Sequence, residues 1–391
     1  MRYVTDPEQP TEVARDITIV TLPIYPPSSE PYMLRNLLRV FKATNYRVNV
    51  ICGGCDLISG KNYVIDVGRS RFAFSGSLPM KTLRLLRDQL VVANQVLRMA
   101  NRTRIFVFHI GEFRSILPLL VSKIVRRKAI LYHIGGNKIL ETWIETRGVA
   151  ARWTKIALIS FLIRFSYKLA DAVVSDSNSN ARFAGLDKFR NKLFIAPYVN
   201  IDRYLNATSR ENRDDLIGFV GRLVPKKEVL NFVLSIPMVL EQISSSRFVI
   251  IGEGPLSEKV LTLIKELGIS SRVTLIRKVT DDDLKEWYSR MKILVLPSIE
   301  EGMPAVVLEA MACGTIVVAT PVGGLPDIII DGVSGFLISG HEPSSIAEGV
   351  LRAFRADLVG LQVAARQQVQ NAFSIDEEKV KLESMLDSLW R

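Results

Sequence analysis

The stretch Pro297–Thr320, PSIEEGMPAVVLEAMACGTIVVAT, carries two carboxylates, Glu301 and Glu309, at a separation of eight residues. Glu301 falls in a loop that Glu301-Gly302 opens, and Glu309 falls inside the helix that follows. Pro304 sits where a first helical turn tolerates proline. Val306, Val307, Leu308, Ala310 and Met311 give that helix its apolar surface, and Gly314 is a common residue just past a helix end. Backbone N–H groups around Met303–Val306 lack partners within the helix, and such a terminus attracts phosphate. A carboxylate beside it suits sugar hydroxyls better than the phosphate itself. Read alone, the same residues also describe a capped helix with two solvated glutamates. A second group lies upstream, where Gly221-Arg222-Leu223-Val224-Pro225-Lys226-Lys227 follows the apolar run Leu216–Val220. A guanidinium fork suits phosphate oxygens and a lysine adds a point charge. The alternative there is a solvated basic turn.

The remaining candidates are weaker. His133 closes the apolar run Ala129–His133 and precedes Gly135-Gly136, at the carboxyl end of a parallel strand, where ligands bind in such sheets. His109 occupies a comparable strand end, and His341 lies in a late polar loop. Cys52-Gly53-Gly54-Cys55 spells C-x-x-C, but no second Cys/His pair follows at metal spacing, which favours a glycine turn flanked by two thiols. Asp281-Asp282-Asp283 after Thr280 reads as a capped helix N-terminus rather than a metal-binding triplet.

These residues need a scaffold, and the chain alternates apolar strands with helices throughout. Strands are expected at Ile17–Leu22, Arg47–Cys52, Tyr63–Val67, Ile105–His109, Ala129–His133, Ala172–Ser175 and Leu193–Ala196, with helices at Tyr32–Thr44, Lys81–Ala100, Arg114–Arg127 and Arg152–Lys168. The polar stretch Ile201–Arg213 is the expected linker. Beyond it come strands at Leu216–Val220, Phe248–Ile251, Val273–Ile276, Ile293–Leu296 and Ile316–Ala319, then a helical region from Pro343 to the C-terminus. A length of 391 residues suits two α/β domains, 17–200 and 214–372, with a polar leader over 1–16.

Net charge is +11, unevenly spread: residues 1–199 hold 30 Lys+Arg and 14 Asp+Glu, while residues 200–391 hold 21 and 26. A basic first half suggests a polyanionic or membrane-surface partner. Nucleic acid is disfavoured, because no arginine–aromatic groove pattern or reading motif accompanies the charge. The leader has no apolar core of a signal peptide, and Arg164 interrupts the longest apolar run, Ile156–Phe165. The segment Arg152–Lys168 reads either as a helix buried against the sheet or as one inserted in a lipid interface, helped by Trp153 and the basic patch Lys123, Arg126, Arg127 and Lys128. Three cysteines form no disulfide framework, which points to a reducing compartment.

The Glu301…Glu309 pair, the surrounding EGMP and LEAMACG, and the following GGLPDIIIDGVSGFLI resemble the donor-binding signature of family 4 (group 1) glycosyltransferases. The resemblance is strong from about Ile217 to Ile338. It implies the GT-B fold, in which two Rossmann-like doubly wound parallel-sheet domains face a cleft and the last helix, here 373–391, crosses back to the first domain. It also implies transfer of a sugar, with retention, from a nucleotide-diphosphate donor to an acceptor hydroxyl, with no metal or other cofactor. On that reading Glu309 holds the ribose hydroxyls and Arg222 and Lys227 neutralise the diphosphate. Gly302, Met303, Pro304 and Ala305 form the donor-binding helix start, Glu301 orients the sugar, and His133 lies near sugar and acceptor. Three positions depart from the family pattern. Pro26-Pro27-Ser28-Ser29-Glu30 replaces a glycine-rich loop, Glu228 replaces a glycine, and Pro197-Tyr198-Val199-Asn200 replaces N-G-V-D. The basic first domain suggests a glycan or lipid-linked acceptor, in glycan, polysaccharide or glycolipid assembly of the cell envelope. The expected location is cytoplasmic, peripheral on the inner face of the cell membrane. The competing readings are a sugar-nucleotide epimerase of the same architecture and a catalytically silent membrane-associated scaffold.

Overall fold

A computed structural model describes residues 16–21, 30–44, 46–52, 63–66, 78–109, 115–133, 149–196, 199–205 and 214–390. The chain forms two compact units. One comprises Met1–Asp176, Ala181–Tyr198 and Glu378–Arg391, the other Ser177–Asn180 and Val199–Glu377.

The first unit is built on β1 (Asp16–Thr21), α1 (Glu30–Lys42), β2 (Arg47–Cys52), β3 (Tyr63–Asp66), α2 (Leu78–Met99), β4 (Ile105–His109), α3 (Ile116–Ile124), β5 (Lys128–His133), α4 (Val149–Leu169), β6 (Ala172–Ser175) and β7 (Leu193–Ile195). Its strands form a parallel sheet in the order β3-β2-β1-β4-β5-β6-β7. β1 pairs with β2 through Ile17↔Val48 and with β4 through Ile17↔Ile105. Strands covered on both faces read as unbroken apolar runs, and every residue of β4 is buried. Val92 and Val96 of α2, Leu119 of α3 and Ile163 and Tyr167 of α4 pack with Phe106, Phe108 and Leu131 in one core, so these three helices cover the same sheet face.

The second unit repeats the design with β8 (Leu216–Val220), α5 (Val229–Gln242), β9 (Arg247–Ile251), α6 (Ser257–Glu266), β10 (Val273–Ile276), α7 (Asp281–Arg290), β11 (Ile293–Leu296), α8 (Ala305–Ala312), β12 (Ile316–Ala319), β13 (Phe336–Leu337), α9 (Pro343–Arg355) and α10 (Leu358–Phe373). The sheet order is β10-β9-β8-β11-β12-β13, again all parallel. In both sheets the order reverses between the first and fourth strands, β1/β4 and β8/β11. Such switch points leave a crevice beyond the carboxyl ends of the strands, and this is where ligands bind in open α/β sheets.

The last helix, α11 (Ile375–Trp390), packs largely within the first unit. Glu378 is fully buried and accepts a hydrogen bond from Arg39 at 2.9 Å. Trp390 stacks on Tyr46 with ring centroids 6.3 Å apart, and Arg104 lies over its indole at 5.1 Å.

Several elements differ from expectation. Helix α3 (Ile116–Ile124) ends at Ile124 rather than at Arg127, because the chain turns at Arg126 with φ 55° before entering β5. In the expected linker, Asp202–Leu205 is helical, and Tyr204 is buried edge-on against Tyr288 at 6.0 Å. Cys52 is disulfide-bonded where a thiol was expected. The leader, the loop 22–29, Cys55, residues 134–136, 197–198 and the linker residues 206–213 lie outside the described residues.

Candidate functional site

The switch point of the second sheet brings the two sequence groups together. The loop after β8 carries Arg222 and Lys227, and the loop after β11 carries Glu301. Lys227 Nζ donates to Glu301 Oε1, and Ser298 Oγ donates to the same oxygen at 2.6 Å. A parallel pair stands beside it, with Lys226 Nζ 3.8 Å from Glu300 Oε2. The Ile299 N–H donates to the Lys226 carbonyl at 2.9 Å, so the two loops are tied through backbone as well as charge. Glu301 and Lys227 are nearly buried, with side-chain exposures of 8% and 14%. The Arg222 side chain is exposed, with no side-chain hydrogen bond or ion pair among the described residues.

A third loop supports this arrangement from behind. Gly324 N–H donates to the Gly302 carbonyl at 2.8 Å. Gly323 adopts φ +58°, and a Cβ there would lie 2.2 Å from the Glu301 carbonyl oxygen. Only glycine allows this close backbone approach.

Helix α8 starts one residue later than the sequence suggests. Pro304 is its N-cap at φ −75° and ψ 107°, with no side chain capping the end, and the first helical residue is Ala305. Proline brings no N–H of its own there, and its carbonyl accepts from Val307 N–H at 3.0 Å. The N–H groups of Ala305 and Val306 point out of the terminus, as in anion sites at helix N-termini. Glu309 lies one turn further in, 4% exposed. Its Oε2 accepts from Tyr288 Oη at 3.1 Å. Burial, together with the Glu309 charge beside it, pushes the Tyr288 hydroxyl well above the ordinary tyrosine range. Tyr288 therefore stays a proton donor to Glu309 at any ordinary pH.

Sequence reasoning missed Tyr288, Ser298 and the Lys226–Glu300 pair. A signal for Tyr288 exists: Leu284, Tyr288 and Met291 recur at helical spacing along the inner side of α7, and a tyrosine on a buried stripe needs a partner for its hydroxyl. His133 is the last residue of β5, in register with Ser175. His109 ends β4 beside Thr21 of β1, at the switch point of the first sheet. It is 2% exposed, burial lowers its pKa to about 3, and its Nδ1 has no hydrogen-bond partner among the described residues. The acidic triplet is a helix cap: Thr280 Oγ1 accepts from Asp283 N–H at 3.1 Å, and Arg203 pairs with Asp281 and Asp282. Among the described residues no group of three or more His, Cys, Asp or Glu could hold a metal ion, and no helix is long and apolar enough to cross a membrane.

Residues 200–372 match the family described as glycosyl transferases group 1. An uncharacterized glycosyltransferase of Methanocaldococcus jannaschii is 37% identical over 142 residues, covering 36% of this chain and 36% of that protein. The D-inositol 3-phosphate glycosyltransferase of Streptomyces avermitilis is 33% identical over 181 residues, or 42% of this chain and 39% of that protein. The chain thus spans well under half the length of these two relatives. Over nearly its whole length the fold matches the crystal structure of Anabaena HepE in complex with UDP, with a TM-score of 0.70 at 16% identity, covering 95% of this chain and 100% of that one. Two parallel sheets of matching order give the chain the GT-B fold, and its segment 200–372, which contains Arg222, Lys227, Glu301 and Glu309, matches the group 1 glycosyltransferases.

Proposed function

We propose that this protein transfers a sugar from a nucleoside-diphosphate donor to an acceptor hydroxyl with retention of anomeric configuration. The observation that carries the reading is the junction of Lys227 with Glu301 at the β8/β11 switch point, next to the uncapped start of α8. A lysine, an exposed arginine and a helix terminus on one side suit a diphosphate. Buried carboxylates in the same segment suit hydroxyls.

Arg222 and Lys227 would bind the diphosphate, assisted by Gly302, Met303, Pro304 and Ala305 at the helix start. Glu309, held by Tyr288, would accept from the ribose hydroxyls, and Glu301 would orient the transferred sugar. As the bond from the anomeric carbon to the phosphate oxygen breaks, its electron pair stays on the diphosphate. Fixed cations and a helix terminus stabilise that charge without a metal. The acceptor hydroxyl then bonds the same carbon on the leaving-group side and gives its proton to the departing phosphate oxygen, with His133 as the residue that would act on the acceptor. The acceptor class that best suits the basic first half is a glycan or lipid-linked saccharide.

Without donor, Lys227 and Glu301 neutralise each other. A diphosphate must take Lys227 from Glu301, and doing so frees Glu301 for sugar hydroxyls. Ligand-detected NMR against UDP-, GDP- and ADP-sugars tests the scheme, starting with UDP-sugars because HepE was solved with UDP. Glu309→Ala should abolish binding of the selected donor. Glu301→Gln should bind the free nucleoside diphosphate at least as well as wild type yet fail to transfer sugar. Donor binding unchanged in Glu309→Ala would overturn the assignment. An altered sugar formed without any acceptor would identify an epimerase instead.

A further inference from the structure

Helices α2, α3 and α4 form one layer over the first sheet, α3 packing against both of its neighbours. A layer of this kind ordinarily turns a polar face outward. This one does not. Nine of the seventeen exposed large apolar side chains among the described residues lie on these three helices. On α2, Leu83, Leu86, Leu90 and Leu97 recur at steps of three, four and seven residues along one stripe, opposite the buried stripe of Val92, Val96 and Met99. Ile124 at the end of α3 is 78% exposed. On α4, Leu158 and Phe161 are exposed in mid-helix, and Trp153 is exposed nearer its start.

The charge on the same helices has one sign. The sequences of α2, α3 and α4 contain four, one and four Lys or Arg, and Asp88 is their single acid. Asp88 is paired with Arg87 at 3.2 Å. Exposed Lys155, Arg164 and Lys168 flank the apolar middle of α4, and Arg87 and Arg98 flank the stripe of α2. We propose that this three-helix face docks on an anionic lipid bilayer, its leucines and Phe161 entering the headgroup boundary while the basic side chains meet lipid phosphates.

The charge pattern selects this occupant over a second copy of the chain. A two-fold contact would set the basic face against itself, and the single acid of these helices, Asp88, already paired with Arg87, would do little to offset the repulsion. A bilayer with anionic lipids offers an apolar interior below a negative surface, which is the complement of an apolar stripe rimmed by Lys and Arg. The inference does not draw on the donor site.

The test is co-sedimentation of the full chain with phosphatidylcholine vesicles, alone or with about one-third phosphatidylglycerol. Two variants accompany the wild type, Leu86→Gln/Leu90→Gln/Phe161→Gln and Lys155→Glu/Arg164→Glu. All replaced residues are exposed, and thermal melts together with donor binding check that the variants fold. Wild type should partition onto the anionic vesicles only, and each variant should lose about tenfold in partition coefficient. Equal binding to both vesicle types, no binding, or binding that survives the apolar substitutions would overturn the proposal. So would a dimer in sedimentation velocity that the Leu86/Leu90 change dissolves, which would make the face a contact between copies. Vesicle binding lost with donor binding intact, or the reverse, separates this inference from the proposed transfer.

Discussion

The Glu309 carboxylate is buried in a helix otherwise made of Ala, Val, Leu and Met, and an ionised group there needs hydrogen-bond donors. Tyr288 is one. It gives a hydrogen to Oε2, its ring is braced edge-on by Tyr204, and its own carbonyl accepts from Thr315 Oγ1. Under the proposed function Tyr288 is a positioning residue, acting on the donor through Glu309. Tyr288→Phe keeps the ring and removes the donated hydrogen, which for a charged acceptor is worth about 1.5–3 kcal/mol. Nucleoside-diphosphate affinity should fall about tenfold or more by titration calorimetry, and the turnover of bound donor should change little. An unchanged Kd would mean that Tyr288 serves packing alone. The paired glutamates were legible in the sequence because both sit in one short contiguous stretch. The pairing of Tyr288 with Glu309 was not, because helical spacing marks Tyr288 as buried but a hydrogen bond spanning 21 residues leaves no local sign of its partner.

Among the elements, strands were the most legible. Those buried on both faces, such as Ile293–Leu296 and Ile316–Ala319, announce themselves as apolar runs of strand length. Helix ends were less so, as α3 shows, since a turn at a non-glycine residue such as Arg126 carries no sequence mark. The loop from β8 to α5 holds the other such residue among the described ones, Glu228, at φ 54°. Its position follows Lys227, and left-handed conformation costs a side-chain-bearing residue about 1–2 kcal/mol. Glu228 offsets part of that cost by accepting from Asn231 Nδ2 at 2.7 Å. Glu228→Gly should therefore raise stability by up to about 1 kcal/mol in denaturant unfolding, with Lys227 still paired to Glu301. A clear loss of stability would show that the bond to Asn231, rather than backbone freedom, fixes the turn that aims Lys227.

At the scale of the molecule, the two units use the same strand order, and the switch point of the second carries the charged pair Lys227–Glu301. Among the described residues at the strand ends of the first sheet, His109 is buried beside Thr21 and held neutral. Its strand-end position was legible from the apolar run before it. Its burial was not, because that depends on Tyr132, packed 5.9 Å away on the neighbouring strand. A neutral buried histidine ties fold stability to acid. Unfolded, it titrates near 6.5, whereas folded it takes a proton only at about 3. Between those values the unfolded chain binds the extra proton, so stability falls as pH falls through the window, by about 1.4 kcal/mol per pH unit. Above 6.5 both states are neutral at this site and the contribution is constant. His109→Gln removes the titration and keeps a polar side chain. Urea unfolding at pH 6, 5 and 4 should give a stability curve that declines less steeply for the variant, the difference between slopes approaching that per-unit value. Parallel curves for the two proteins would show that His109 is reached by protons in the folded state, and so that the first switch point is open to solvent rather than sealed.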